Sequence, residues 1–449
     1  MGSVTDTMEV PRRADLRLPV PAGIVGAGSA AALVAAAFVV PQLASDRWRL
    51  SLYAAAAPIF GSWLPHIGWG SGPAIGIAAL VAAYGPGVAA RLRWGWLPLL
   101  SWVVALAWAF ALAMVDGWDR GFAGRLEEGG EYLPEVRGIT DIPATLRGFS
   151  ARILDFQPDS WTTHTSGHPP GAVLFFVLLD RIGLSGGGWA GVACLLIGCS
   201  AVAAILITVR ALGAEDRARA AAPFLVLAPA ALWIAVSADA VFAGVTAWAM
   251  AALALAATRL RPGLALLAGV LFGLGIFLNY GLVLMAIPAV AVLVAARNWR
   301  PLVPALIGAG VVVVAFAAAG FWWLTGYHLV VQRYYQGVAS TRPITYWIWG
   351  NLAATVCATG LAVPAALPRA VSRVRAWDPT ALVVTAALAA ILAADLSGMS
   401  KAETERIWLP FDLWLLAATA FLPRRDARLW LTVQAAGTLA LTHLLLTNW

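Results

Sequence analysis

Apolar residues run in long blocks along this chain, and polar residues appear only as short islands between them. Many blocks approach ~20 residues, the length of helix that crosses a ~30 Å hydrocarbon core. The pattern predicts thirteen spans, near 21–43, 72–90, 96–115, 187–209, 219–236, 240–257, 263–279, 281–296, 301–323, 345–366, 380–396, 407–422 and 428–447. The expected fold is all-α, a polytopic membrane protein with about thirteen transmembrane helices. A polar tail, residues 1–20, precedes a single transmembrane domain, 21–449. The first apolar run is longer than the core of a signal peptide and reads as an uncleaved anchor. The apolar stretch Leu50 to Trp63 is expected as an outer-face or re-entrant helix, because a further span there would invert every later loop.

Composition narrows the class. With 449 residues, 61% hydrophobic and 12% charged, the chain has too little polar surface for separate soluble domains. Its net charge of +7 comes from 29 Arg and one Lys scattered among the islands, without the basic stripe that tracks a phosphate backbone, so nucleic acid is not an expected partner. Placing the N-terminus in the cytoplasm puts 18 of the 30 basic residues inside against 7 of the 23 acidic ones, as the positive-inside rule requires. The long loop 116–186, the turn with Ser237 and Asp239, the turn Asn279-Tyr280-Gly281, loop 324–344 and segment 397–406 then share the extracytoplasmic face. Cys194, Cys199 and Cys357 all lie in apolar runs, which encodes neither a disulfide framework nor a thiolate metal site. The Ala- and Arg-rich, Lys-poor composition points to a bacterial plasma (inner) membrane.

Candidate chemistry is concentrated in the long loop. It opens VDGWDRGFAGRLEEGGEY, where the spacing of Asp116 and Asp119 puts both on one face of a helical exit. A carboxylate beside a low-dielectric slab is a candidate general base, and Asp is also ordinary punctuation at the end of a span. In DIPATLRGFSARILDF the residues Ile142, Leu146, Phe149, Ile153 and Phe156 form a helical stripe, which predicts an interfacial helix roofing a site. The stretch WTTHTSGHPPGAVLFF carries His164 and His168 before Pro169-Pro170, then an apolar helix from Gly171 to Arg181 that is too short to cross. Prolines at a helix start are ordinary; two histidines are not explained by them. A shared helical face would let His164 and His168 ligate zinc, but Gly167 and Pro169 argue against a helix there, and no metal is expected.

This order of motifs resembles the first outer loop of GT-C class membrane glycosyltransferases. The branch it is most similar to is that of protein O-mannosyltransferases and lipid A aminoarabinose transferases (family 39-like). Further along, SADAVFAGVTAWAM resembles the family's outer Asp at a span start, LLAGVLFGLGIFLNYG its short outer turn, and KAETERIWLPF its late outer loop. The likeness runs over roughly residues 96–425. It implies inverting transfer of a sugar from a polyprenyl-phosphate donor to an envelope glycan, lipid or protein acceptor outside, with membrane lipids around it and no certain cofactor. Asp119 or Asp116 would be the base. Arg406, Lys401, His168, Arg342 and Arg333 would bind the donor phosphate, and guanidinium forks suit that task. His164, Asp239, Asn279, Tyr280, Tyr346 and Glu405 would bind substrate. Two departures are visible: the family's acidic pair is usually adjacent, and its basic residue before Pro-Pro is usually Lys where this chain has His168.

Other features read plainly. Most of the 22 tryptophans fall near expected span ends, as an interface belt requires. Gly269-x-x-x-Gly273 suits close helix packing. A lipid or solute transporter (flippase), or a catalytically silent envelope-assembly protein, is the alternative class. The scarcity of charge within the spans and the unpaired halves favour an enzyme working at one face.

Overall fold

The computed structural model describes residues 21–448, so the expected cytoplasmic tail, with Arg12, Arg13 and Arg17, lies outside the described residues. Among the described residues, six helices are long and apolar enough to cross a membrane: Ala22–Leu43, Ser71–Arg91, Trp94–Ala113, Gly187–Ala211, Ala238–Arg259 and Pro379–Leu396. Two sharply bent pairs, Leu302–Ala318 with Trp323–Gln336 (75°) and Ile344–Thr359 with Ala362–Val374 (101°), raise this to eight at most. The expectation of about thirteen transmembrane helices is therefore corrected, while an almost wholly helical, polytopic membrane chain remains.

The difference has a physical cause. A run of apolar side chains says nothing about where the backbone breaks. The expected span 219–236 is two pieces, Glu215–Val226 and Ala231–Ile234, separated around Pro229. Those expected at 263–279, 281–296 and 407–422 are the shorter helices Pro262–Leu278, Tyr280–Ala295 and Leu409–Phe421. Buried breaks need partners for their carbonyls. Gln434 Nε2 donates to the carbonyls of Phe224 (2.9 Å) and Leu227 (3.0 Å), and Trp108 Nε1 to that of Ala228 (3.2 Å).

The stretch Leu50 to Trp63 is not the helix expected. A short helix, Asp46–Leu50, leads into turns and a strand, Gly61–Trp63, which pairs antiparallel with Leu445–Thr447 at the end of the expected last span. Buried Arg342 makes the non-helical backbone affordable by donating to the carbonyls of Leu52 and Tyr53.

The helices Gly187–Ala211 and Ala238–Arg259 pack on one another at the centre and are buried along most of their lengths. At the periphery, Val303, Leu306, Ile307, Val311 and Val314 of Leu302–Ala318 are more than half exposed. Such a surface is an aggregation liability in water and is solvated by hydrocarbon. The opposite side of that helix meets Pro262–Leu278, where Gly269 faces the backbone of Ala305 and Gly273 faces Val312. A Cβ at residue 269 would enter the Ala305 carbonyl. Gly269→Val is therefore expected to destabilise the fold by about 1–3 kcal/mol through overpacking, seen as a lower thermal unfolding midpoint in detergent.

The polar loops fall into two groups. Arg219 donates to the carbonyls of Ala89 and Leu92, Arg217 reaches Asp378 and the carbonyl of Ala420, and Arg297 lies over the ring of Trp377. All of these belong to loops that the arginine count assigns to one side. The five segments expected on the other side meet elsewhere.

Candidate functional site

The long loop after Trp94–Ala113 folds into a roof of short helices, Leu133–Val136, Ile142–Gly148, Thr163–Gly167 and Gly171–Arg181. Leu146, Phe149 and Ile153 turn inward from the expected stripe, whereas Phe156 is exposed. Gly171–Arg181 has the expected bounds, and Ala172, Val173, Phe176 and Val177 are buried along it. A one-turn helix does form over Thr163–Gly167, contrary to the expectation from Gly167 and Pro169, which end it rather than prevent it.

Below the roof lies a cavity of about 670 Å³, within the ~300–1,000 Å³ range of small-molecule sites. Residues 155–168 of the roof, 279–284, 323–342 and 393–411 all contribute to its wall. Of the expected site residues, His164, His168, Asn279, Tyr280, Arg333, Arg342, Lys401 and Arg406 line it. Asp239 stands directly behind it: fully buried at the start of Ala238–Arg259, it is ion-paired with Arg406.

The loop carrying Lys401, Glu403 and Arg406 is held from below. Asn351 donates to Asp395 Oδ1 and to the carbonyl of Ser400, both at 2.8 Å, and accepts from the Ala402 N–H. Ala402 and Glu403 both adopt left-handed backbone (φ 74° and 62°), a strained pair for residues with a Cβ. The result aims Glu403 between Arg406 (3.1 Å) and Arg342 (3.4 Å). Burial alone would raise the Glu403 carboxyl, but the two guanidinium groups prevail and hold it below the ordinary carboxylate range. Arg342 also donates to the Lys401 carbonyl, so its N–H groups are divided between this loop and the carbonyls of Leu52 and Tyr53. Lys401 Nζ donates to the Ala339 carbonyl (2.9 Å) and lies 5.7 Å from the Tyr335 ring centre. On the far wall Arg333 pairs with Asp155 (2.5 Å), and that bond holds the Asp155 carboxyl below its usual range.

The two histidines differ. His168 Nδ1 donates to the His164 carbonyl (2.8 Å) and touches the Tyr132 hydroxyl (2.9 Å). Burial pushes His168 down to about 4, so at neutral pH it brings no positive charge to the cavity. His164 Nδ1 faces Glu131 Oε1 (3.1 Å) and the Gly130 carbonyl (3.0 Å), two acceptors that fix the proton on Nδ1. Its Nε2 is 3.4 Å from an Arg406 nitrogen. Tyr280, Trp323 and Tyr327 form an aromatic wall, with Trp323 and Tyr327 stacked at 5.4 Å.

Other expected site residues lie off the cavity wall. Asp116 pairs with His66 (2.6 Å), and Asp119 is exposed at the start of a widened turn, Asp119–Ala123. Tyr346 donates to the Ala37 carbonyl (2.8 Å) and joins two helices, and Glu405 accepts from the Phe60 N–H (2.8 Å). Glu131, Tyr132, Glu403 and Asn351 were not singled out from sequence. Asn351 had a readable signal, as a lone amide within an apolar run; nothing distinguished Glu131 from its acidic neighbours. Among the described residues no group of three or more His, Cys, Asp or Glu could hold a metal ion.

No family model matches the sequence, and no curated protein matches it. Among solved structures, the chain is similar to ArnT from Cupriavidus metallidurans in the apo state, at 18% identity and TM-score 0.45, over 71% of this chain and 59% of that one. It is also similar to the Archaeoglobus fulgidus oligosaccharyltransferase tethered to an acceptor peptide, at 14% identity and TM-score 0.49, over 72% and 49% of the two chains. The same oligosaccharyltransferase in complex with Zn and sulfate gives 14% identity and TM-score 0.48, over 77% and 52%. This chain thus spans about half to three-fifths of the length of those it matches. Likeness at this level carries no substrate and no residue role to it.

Proposed function

We infer that this is a membrane glycosyltransferase of GT-C type, moving a sugar from a polyprenyl-phosphate donor to a hydroxyl acceptor at the extracytoplasmic face, with inversion. One observation supports the reading above the others: Lys401, Arg406, Arg342 and Arg333 converge with an aromatic wall on one cavity. A phosphate that arrives on a lipid meets cations there, and the flat ring faces of Tyr280, Trp323 and Tyr327 suit the C–H face of a sugar. The likeness of the outer-loop motifs to that class agrees with it.

Lys401 carries the sharpest expectation. Its ammonium contacts a carbonyl and a ring, and no carboxylate partner is recorded for it among the described residues. It is therefore the cation most readily given to the donor phosphate. Lys401→Ala is expected to weaken binding of radiolabelled undecaprenyl-phosphate sugars roughly 10-fold or more, with little change in thermal stability. Undiminished binding would remove the phosphate from this part of the cavity.

A further inference from the structure

An acceptor hydroxyl needs a proton acceptor, and the cavity's carboxylates are poor ones. Glu403 is held by Arg406 and Arg342, Asp155 by Arg333, and Asp239 by Arg406. Asp116 and Asp119 are outside the wall. We propose that His164 is the general base of the transfer and that Glu131 is its positioning residue. The proposal rests on the reading of the cavity as a polyprenyl-phosphate sugar site.

The geometry is that of an oriented imidazole. Glu131 is nearly fully buried, and with the Gly130 carbonyl it keeps the proton on Nδ1. Nε2 is then the accepting nitrogen; an Arg406 N–H lies 3.4 Å from it, a long contact that an acceptor hydroxyl would replace as Arg406 turns to the donor phosphate. The groups facing His164 are Glu131, Arg406, Glu403, Tyr132 and His168, with Asp239 behind Arg406. In the step, the acceptor oxygen forms a bond to the anomeric carbon while the bond from that carbon to the phosphate oxygen breaks. The electron pair leaves with the phosphate, and the hydroxyl proton passes to Nε2. The imidazolium then stands between Glu131 and the newly dianionic phosphate, which stabilises it, and later returns its proton to water. Arg406 and Lys401 meet the charge on the leaving group.

The test uses the full-length protein in detergent, undecaprenyl phosphate carrying labelled mannose, glucose, galactose or arabinose, and crude envelope extract as acceptor. Donor binding and release of undecaprenyl phosphate are measured separately. His164→Asn is expected to lower kcat roughly 10²- to 10⁴-fold while changing donor affinity less than about threefold. Glu131→Gln removes an anion beside the imidazole, lowers its proton affinity, and so moves the acidic limb of the kcat profile to lower pH. A structural role for Glu131 would lower the rate and leave the limb in place. Near-wild-type turnover in His164→Asn, or an unmoved limb in Glu131→Gln, overturns the proposal while leaving the donor site standing. If the wild type binds none of the donors, the site reading and the base fall together. Should His164→Asn fail to fold, the limb in Glu131→Gln decides.

Discussion

Arg406→Ala is expected to abolish transfer, with a loss of at least ~100-fold, and also to destabilise the fold by about 3–5 kcal/mol. The two effects have separate causes. Arg406 is 3% exposed and is the cation paired with Asp239, which is 0% exposed. Removing it leaves a buried carboxylate uncompensated, and that penalty exceeds what the pair contributes when intact. The same guanidinium also lines the cavity beside His164. Asp239→Asn in the Arg406→Ala background takes away the stranded charge, so the double variant should recover much of the lost stability and none of the activity. Thermal unfolding and donor release measured on both singles and the double give the coupling directly. Full recovery of activity in the double variant would show that Arg406 matters only as the partner of Asp239.

The second large effect depends on pH. Glu405 is buried, and burial pushes its carboxyl up to about 7. In the unfolded chain a glutamate ionises near 4.3. Below that value both states are protonated and the group adds no pH dependence. As pH rises toward 7 the unfolded chain ionises first, so stability falls, by on the order of 3 kcal/mol in total. Above about 7 the loss is complete. Glu405→Gln keeps an oxygen for the Phe60 N–H and is neutral throughout. Relative to wild type it should therefore gain stability from pH 5 to about 7 and hold that gain from there to pH 8. Parallel unfolding curves across that range would show that Glu405 is not held protonated in the fold.

Charge counting found the site better than hydropathy found the fold. Assigning loops by their arginines grouped 116–186, 237–239, 279–281, 324–344 and 397–406 on one face, and all five meet at or directly behind the cavity. That grouping works because arginine placement reports the side of each loop, whatever the helices do between them. Span counting failed where backbone breaks fall inside apolar runs, as at Pro229, where Gln434 and Trp108 supply partners from distant segments. The cations Arg406 and Lys401 were legible as interfacial charges in a late loop. Their environment was not, because Glu403 takes its aim from strained backbone and from Asn351, 52 positions away in sequence by numbering. The His66–Asp116 pair shows the same limit: both residues were visible, but only the fold brings them to 2.6 Å.

The most direct test of the central claim is incubation of the purified protein with labelled undecaprenyl-phosphate sugars and envelope extract, following release of undecaprenyl phosphate. The expected result is release that depends on both donor and acceptor and disappears in Arg406→Ala. No release from any donor, with the protein folded and the acceptors supplied, would contradict the assignment and favour a transport or envelope-assembly role.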